Sequence, residues 1–295
     1  MRKFQGTGVA MTTAFLSDDA LDRDGITKLT HHLVDGGVEF LVILGTTGEA
    51  ATISAKEQET VVETVMAANA GRLPVVLGVG GNNTSEVIEK ARNWSSKYKP
   101  DALLSVSPYY SKPSQEGIFR HFSAIAEAVT TPIILYNVPG RTASNMTSAT
   151  TLRLAHAYKH IIGIKEASGL FEQAMEIIRD RPEGFLVLSG DDAITLPLIG
   201  AGADGVISVV ANALPRQFGE MVRQALTGDF ANARKLHYPM LRFTQQLFAE
   251  GNPVGIKSAL SLLGIGGDHV RMPLWPASEG LRAQLQQELS AMGMR

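Results

Sequence analysis

Residues 132–168 read PIILYNVPGRTASNMTSATTLRLAHAYKHIIGIKEAS, and they contain two apolar runs with a helical pattern between them. The runs PIILYNVPG (132–140) and IIGIKEAS (161–168) are rich in isoleucine and leucine, as strands buried on both faces are. The segment TSATTLRLAHAY between them predicts an amphipathic helix. A repeat of about 30 residues is typical of a βα step in a parallel sheet.

The same alternation continues along most of the chain. Six further apolar runs predict strands, namely GVAMTTAF (8–15), FLVILGTT (40–47), PVVLGVGG (74–81), ALLSVSPYY (102–110), FLVLSGDD (185–192) and GVISVVAN (205–212). Helical patterns separate them. One begins with Ser54 as N-cap and Glu57 three residues later, and another starts at Thr84.

Eight such units predict an α/β fold of the (β/α)8 type, a TIM barrel. A doubly wound open sheet is the alternative, although no strand is followed by G-x-G-x-x-G, so a dinucleotide site is not indicated. Beyond residue 213 the patterns are helical only. We therefore predict a barrel over residues 1–228 and a C-terminal helical appendage over residues 229–295.

The composition is that of an ordinary soluble protein, with 295 residues, 44% of them hydrophobic, and a net charge of −2. No basic stripe predicts nucleic-acid binding, and no apolar run is long enough to span a membrane. Cysteine is absent, which excludes disulfides, thiolate nucleophiles and cysteine metal ligands. The N-terminal segment does not have the pattern of a signal peptide, so the cytoplasm is the expected location.

Polar residues follow most of the predicted strands, at the ends that form the active-site face of a parallel barrel. The sets are Gly45-Thr46-Thr47-Gly48-Glu49, Ser107-Pro108-Tyr109-Tyr110, Tyr136 to Thr142 with Arg141, Lys165-Glu166, Ser189-Gly190-Asp191-Asp192 and Asn212. We expect these residues to converge on one mouth.

Lys165 is the most informative of these residues, because a lysine rarely lies in a core strand without a partner. Burial disfavours the ammonium form, so a neutral amine can attack a carbonyl and form a Schiff base. Gly163 is expected to leave room for this side chain and a small substrate. The alternative is a structural lysine, although Glu166 is a poor partner because adjacent strand residues point to opposite faces. The position of Lys257 in a predicted helix favours snorkelling of its side chain or a structural ion pair.

The other candidates are weaker when each is considered alone. The GTTGE turn offers hydroxyls and backbone N–H groups to a small carboxylate, or is simply a tight βα turn. A tyrosine near the lysine can relay protons. Arg141 can hold a carboxylate through two hydrogen bonds, or is a solvated surface residue. Asp191 and Asp192 favour a role at a helix start over a metal site.

Taken together, GTTGE, SPYY, YNVPGRT, GIKEAS and NPVGIKSAL resemble the dihydrodipicolinate synthase family, which belongs to the pyruvate-dependent class I aldolases and lyases. The resemblance runs from about Gly6 to beyond Lys257. It implies condensation of pyruvate with L-aspartate 4-semialdehyde through an imine on Lys165, in lysine and diaminopimelate biosynthesis. It also implies that no metal or organic cofactor is needed.

The resemblance further implies roles for individual residues. Tyr136, Thr46 and Tyr110 match the proton relay, with Tyr110 contributed across a subunit interface of a homotetramer built as a dimer of dimers. The substrate-binding positions are Thr46 and Thr47 for the pyruvate carboxylate, Arg141 for the second substrate, and Gly190 and Ile207 near bound pyruvate.

The resemblance to the family's regulatory site for lysine is only partial. Its positions are Ala50, Ala51, Asn82, Glu86 and Tyr109, whereas two histidine positions of sensitive enzymes are Ala55 and Gln58. We therefore expect weak or absent inhibition by lysine.

Two other functions fit the pattern. A sialic acid lyase or keto-deoxy sugar acid aldolase would use the same lysine and tyrosine, but Arg141 favours a short second substrate with its own carboxylate. A keto-acid sensor would have no need for the proton relay.

Overall fold

The structure, a computed structural model, describes residues 2–294 and contains eight parallel strands that form a closed barrel in chain order. The predicted TIM barrel is confirmed, and the open sheet is excluded. The strands are β1 (Gly6–Ala10), β2 (Phe40–Ile43), β3 (Val75–Gly78), β4 (Ala102–Val106), β5 (Ile133–Asn137), β6 (Ile161–Glu166), β7 (Leu186–Ser189) and β8 (Gly205–Ser208).

Helices follow the strands, and further helices continue to the C-terminal end of the described chain. They are α1 (Arg23–Asp35), α2 (Ala55–Asn69), α3 (Thr84–Tyr98), α4 (Gln115–Ala128), α5 (Pro139–Thr142), α6 (Ser148–Ala157), α7 (Phe171–Asp180), α8 (Thr195–Gly200), α9 (Pro215–Leu226), α10 (Phe230–Leu247), α11 (Val254–Leu262) and α12 (Glu279–Ala291). Within residues 2–294, no helix is both long and apolar enough to cross a membrane.

The strands are shorter than the apolar runs that predict them. The run at 8–15 continues well beyond Ala10, where β1 ends. The backbone leaves the ladder there because polar groups find other partners. The Thr12 N–H donates to Asn212 Oδ1 at 3.2 Å, and Thr13 Oγ1 donates to the Gly48 carbonyl at 2.8 Å.

The helix starts follow the predicted signals. Ser54 and Glu57 form the predicted capping box at the start of α2. Thr84 is the first residue of α3, as predicted, and its hydroxyl lies 2.9 Å from His121 Nδ1. The N-cap of α3 is Asn83, whose side chain accepts from the Ser85 N–H.

The chain divides into two compact units. The first contains residues 2–5 together with Pro74–Ile207, and in it strands β3 to β7 pair in sequence. The second contains Gly6–Leu73 together with residues 208–294, and in it α9 packs on β1 and α10 while α12 packs on α10 and α11. The predicted boundary at residue 228 lies between α9 and α10 and stays a prediction.

Candidate active site

Lys165 and Tyr136 lie side by side at the ends of neighbouring strands. The register of β5 and β6 pairs these two residues directly. Lys165 is only 5% exposed, and its Nζ lies 4.5 Å from the centroid of the Tyr136 ring. The parallel pairing therefore brings together an amine, which can form an imine, and a phenol, which can transfer protons.

Gly190, directly after β7, leaves space beside the Lys165 side chain. Its N–H donates to the Glu166 carbonyl at 2.8 Å, which holds the backbone close to the end of β6. A Cβ atom at this position would lie 3.1 Å from Lys165 Cε and 2.5 Å from Ala167 Cβ. Only glycine fits here without displacing its neighbours.

Gly163 has a different role from the expected one. A Cβ at Gly163 would lie 2.7 Å from the Leu186 carbonyl oxygen and 2.9 Å from Leu186 Cβ, both on β7. Its lack of a side chain therefore permits the close approach of β7. The register between β5 and β6 also shifts here, since Ile134 pairs with Gly163 and Ile162 is skipped.

Glu166 is held by partners other than Lys165, as the alternation of a strand predicts. Its carboxylate accepts from Asn137 Nδ2 at 3.1 Å, from Gln173 Nε2 at 3.1 Å and from the Ser168 N–H at 2.6 Å. Within residues 2–294, no carboxylate forms an ion pair with Lys165. The interpretation of Lys165 as the cation of a structural ion pair therefore fails.

Arg141 lies in the short helix α5, immediately after β5, with its side chain exposed. Asn137, the last residue of β5, holds the segment after α5 through two hydrogen bonds. Its Nδ2 donates to Asn145 Oδ1 at 2.8 Å, and its Oδ1 accepts from the Met146 N–H at 3.0 Å. Asn137 belongs to the predicted strand-end set Tyr136 to Thr142, but its sequence position alone predicted no individual role for it.

Tyr109 and Tyr110 follow β4 and are not packed against the Lys165–Tyr136 pair. Tyr110 is 88% exposed and has a left-handed backbone with φ of 67°, while its N–H donates to the Thr142 carbonyl at 3.3 Å. The Tyr109 N–H donates to Asn82 Oδ1 at 2.9 Å. Glu86 accepts from Asn83 Nδ2, so this carboxylate already has a partner in the N-cap residue of α3.

Two further predictions concern β7 and β8. Ile207 is buried within β8. Asp191 accepts from the Ala193 N–H at 2.9 Å, while its carbonyl accepts from Thr195 Oγ1 at 2.8 Å. The Asp191 carboxylate therefore orders the loop before α8 and does not cap the helix, because the N-cap is Ile194 and the first turn contains no acidic residue. The predicted role of these carboxylates at the helix start is wrong.

In the second unit, the GTTGE sequence forms a single 3-10 turn after β2 (Thr46–Gly48). Thr46 is exposed, whereas Thr47 is buried and its Oγ1 accepts from Asn252 Nδ2 at 2.9 Å. Ala50 lies in the next 3-10 turn, Ala50–Thr52, and its carbonyl accepts from Gln58 Nε2 at 3.2 Å. Asn252 begins the NPVGIKSAL motif, but its contact with Thr47 was not predicted from the sequence.

Lys257 forms an ion pair with Glu49, and both side chains are almost fully buried, with 1% and 2% of their surfaces exposed. The structural ion pair predicted for Lys257 is confirmed, and snorkelling is excluded. Burial lowers the pKa of Lys257 to about 8, although Glu49 acts in the opposite direction.

The (β/α)8 barrel and the buried Lys165–Tyr136 pair place this chain in the class of barrel lyases. A sequence model of the Dihydrodipicolinate synthetase family matches residues 3–292. The chain belongs to this family. It is similar to the 4-hydroxy-tetrahydrodipicolinate synthase of Flavobacterium psychrophilum, with 50% identity over 287 residues that cover 97% of each chain.

Solved structures agree with this assignment. DHDPS from Cyanidioschyzon merolae, crystallised with lysine bound, has a TM-score of 0.96 and 37% identity and covers 100% of both chains. A monomeric dihydrodipicolinate synthase variant has a TM-score of 0.96 and 35% identity, covering 99% of this chain and 98% of its own.

Proposed function

We propose that this chain condenses pyruvate with L-aspartate 4-semialdehyde, through a Schiff base at Lys165, to give 4-hydroxy-tetrahydrodipicolinate in lysine and diaminopimelate biosynthesis. The observation that carries the proposal is the Lys165 amine, buried beside the Tyr136 ring with Gly190 leaving space at its Cε. The family assignment and the named relatives support the same reaction.

The chemistry begins when the lone pair on Lys165 Nζ attacks the keto carbon of pyruvate. The keto oxygen leaves as water, and a protonated imine remains. Loss of a methyl proton then gives an enamine, whose carbon attacks the aldehyde carbon of the second substrate and forms the new C–C bond. The amine of that substrate next attacks the imine carbon, and the bond from this carbon to Lys165 breaks.

Tyr136 is the residue best placed to move protons in these steps. Its ring packs against the amine, and a phenol can both donate and accept a proton. We assign Thr46 and Tyr110 to the same relay on the resemblance to the family. The exposure of Tyr110 is consistent with a tyrosine that acts in a neighbouring subunit.

The substrate contacts form part of the same proposal. Thr46 and Thr47 supply hydroxyls and turn N–H groups to the pyruvate carboxylate, and Gly190 and Ile207 border the bound pyruvate. Arg141 holds the carboxylate of aspartate semialdehyde, since its guanidinium is exposed on a helix that follows β5. No group other than the imine on Lys165 is needed as cofactor.

Two properties of the assembly complete the proposal. We infer a homotetramer built as a dimer of dimers, which sedimentation at several protein concentrations tests. We also infer that free lysine inhibits weakly or not at all, because Gln58 and Ala55 replace the histidines of sensitive relatives. The candidate positions for lysine are Ala50, Ala51, Asn82, Glu86 and Tyr109.

Reductive trapping tests the reaction directly. The chain is incubated with pyruvate, reduced with borohydride and digested, and the modified peptide is identified by mass. We expect one adduct, on Lys165, and none on Lys257, which serves as an internal control because Glu49 and its own burial block it. A chain without the Lys165 adduct would exclude the Schiff base.

Turnover separates the remaining alternatives. Product formation from pyruvate and aspartate semialdehyde distinguishes an enzyme from a keto-acid sensor. A sialic acid or sugar acid aldolase would form the same adduct but would prefer a long sugar aldehyde to aspartate semialdehyde.

A further inference from the structure

The Glu49–Lys257 pair requires an explanation beyond stability. Burying two charges costs several kcal/mol per ion, which mutual attraction often fails to recover. Lys257 Nζ also donates to the His269 carbonyl at 2.8 Å and lies 4.2 Å from the Phe15 ring centroid. On the other side, Glu49 Oε2 accepts from the Arg271 N–H at 3.1 Å. Both members of the pair therefore have further hydrogen-bond or ring contacts within the second unit.

Glu49 connects this pair to the Thr46–Gly48 turn. It has a left-handed backbone with φ of 54°, a conformation that residues other than glycine seldom adopt without a local reason. Its N–H donates to the Thr46 carbonyl at 3.1 Å, which closes the turn. The position of the Glu49 side chain therefore fixes where the turn lies.

The last two residues of the turn and Glu49, which follows it, each contact a side chain from another segment. Asn252 donates to the Thr47 hydroxyl, and Thr13 donates to the Gly48 carbonyl. Lys257 binds the Glu49 carboxylate. Two of the three ties thus come from one short segment, residues 252–257, at the start of α11.

We propose that Glu49, Lys257 and Asn252 are positioning residues. Together they form a clamp that holds the Thr46–Gly48 turn in the geometry that binds the carboxylate of the keto-acid substrate. The inference rests on the proposed function, because the turn is the proposed carboxylate site. It gives the C-terminal helical region a specific part in catalysis. The three residues act through the turn and do not touch substrate.

The clamp should affect one substrate more than the other. A displacement of about 1 Å in a positioning element can lower a rate by about 100-fold. We therefore expect Lys257→Met to raise KM for pyruvate by about tenfold to 100-fold, with a much smaller change in KM for aspartate semialdehyde. Asn252→Ala, which removes one of the three ties, should produce a smaller effect in the same direction.

A matched control separates positioning from stability. Arg181 forms an ion pair with Asp204, a buried carboxylate in the first unit. Arg181→Met also removes an ion-pair partner from a buried carboxylate, while Arg2 remains as the second partner of Asp204. The variant should therefore lower Tm, by less than Lys257→Met does, while leaving KM for pyruvate unchanged. An equal rise in KM in both variants, or none in Lys257→Met, would overturn the proposal.

A double variant keeps the test decisive if Lys257→Met folds poorly. Glu49→Gln combined with Lys257→Met removes both charges, and should recover part of the lost Tm while keeping the raised KM. If both KM for pyruvate and Tm return to their wild-type values in the double variant, the pair is only structural. The wild-type adduct is measured in parallel. Absence of the adduct would refute the proposed function itself. An intact adduct together with variants whose KM for pyruvate is unchanged would refute only the clamp.

Discussion

Replacing Gly190 with alanine tests the most restrictive contact at the candidate active site. The new Cβ would lie 2.5 Å from Ala167 Cβ and 3.1 Å from Lys165 Cε. Ordinary contacts between such carbons are about 3.5–4 Å, so Ala167 must move by roughly 1 Å and the lysine by less. Ala167 is a short side chain attached to the end of β6, so the displacement is transmitted to the strand that carries Lys165.

The structure gives a magnitude for each consequence. Overpacking of this kind costs about 1–3 kcal/mol, and 1 kcal/mol lowers Tm by about 2–4 °C in a chain approaching this size. A misplacement near 1 Å at the reacting group costs about 100-fold in rate. Gly190→Ala should therefore remain folded, with Tm lowered by roughly 2–12 °C, and should lose about 100-fold in kcat/KM.

The assay combines initial rates over a pyruvate series with the time course of borohydride-trapped adduct on Lys165. Gly280→Ala is the matched control, because a Cβ there meets only Ser278 Oγ at 3.7 Å, an ordinary contact in α12. It should leave the rate and the adduct unchanged. If Gly190→Ala keeps kcat/KM within about threefold of wild type while Tm falls, the spacing around Lys165 is not limiting and the reasoning is wrong.

Four further predictions follow from single contacts. Tyr136→Phe should keep the apolar packing on Lys165 but lower kcat by about 100-fold or more, measured as the steady-state rate at saturating substrates. Arg141→Ala should lose most activity with aspartate semialdehyde while keeping the pyruvate adduct; an equal loss of adduct would make Arg141 structural. Free lysine, titrated against initial rate, should inhibit weakly or not at all. Hydrogen bonds from Arg271 lower the pKa of Glu57 from 4.5 to about 2, so the stability from this carboxylate is complete above pH 4.5 and is lost as pH falls toward 2. Glu57→Gln should therefore be less stable than wild type at neutral pH, and the difference in urea midpoint should shrink below pH 4.5.

The fold was predictable because a parallel barrel leaves a strong pattern. Its strands are buried on both faces, so they appear as nearly continuous apolar runs at a regular spacing. The strand ends were less predictable. The run that contains β1 stays apolar beyond Ala10, and only partners elsewhere in the chain, such as Asn212, take the backbone out of the ladder. Similarly, Asn83 and Thr84 are both good caps, and the sequence does not distinguish them.

The Lys165–Tyr136 pair was predictable for a topological reason. Each side chain ends its own strand, and the strand-end rule of parallel barrels needs no knowledge of individual contacts. The Glu49–Lys257 pair has no comparable rule, since the two residues lie far apart in sequence and belong to a turn and a helix. The role predicted for Gly163 was wrong for the same reason. The residue that a side chain at this position would meet is Leu186, which lies on the next strand.

The two buried lysines show why burial alone does not identify the nucleophile. Both lie in apolar sequence and both contact an aromatic ring, and burial lowers the pKa of Lys257 to about 8. Lys257 nevertheless faces a carboxylate and a carbonyl that occupy its ammonium group. Lys165 has no carboxylate partner within the described chain, and it has a tyrosine on one side and a glycine on the other. The lysine that we propose as the nucleophile is therefore distinguished by the absence of a carboxylate partner and by the space that Gly190 leaves open.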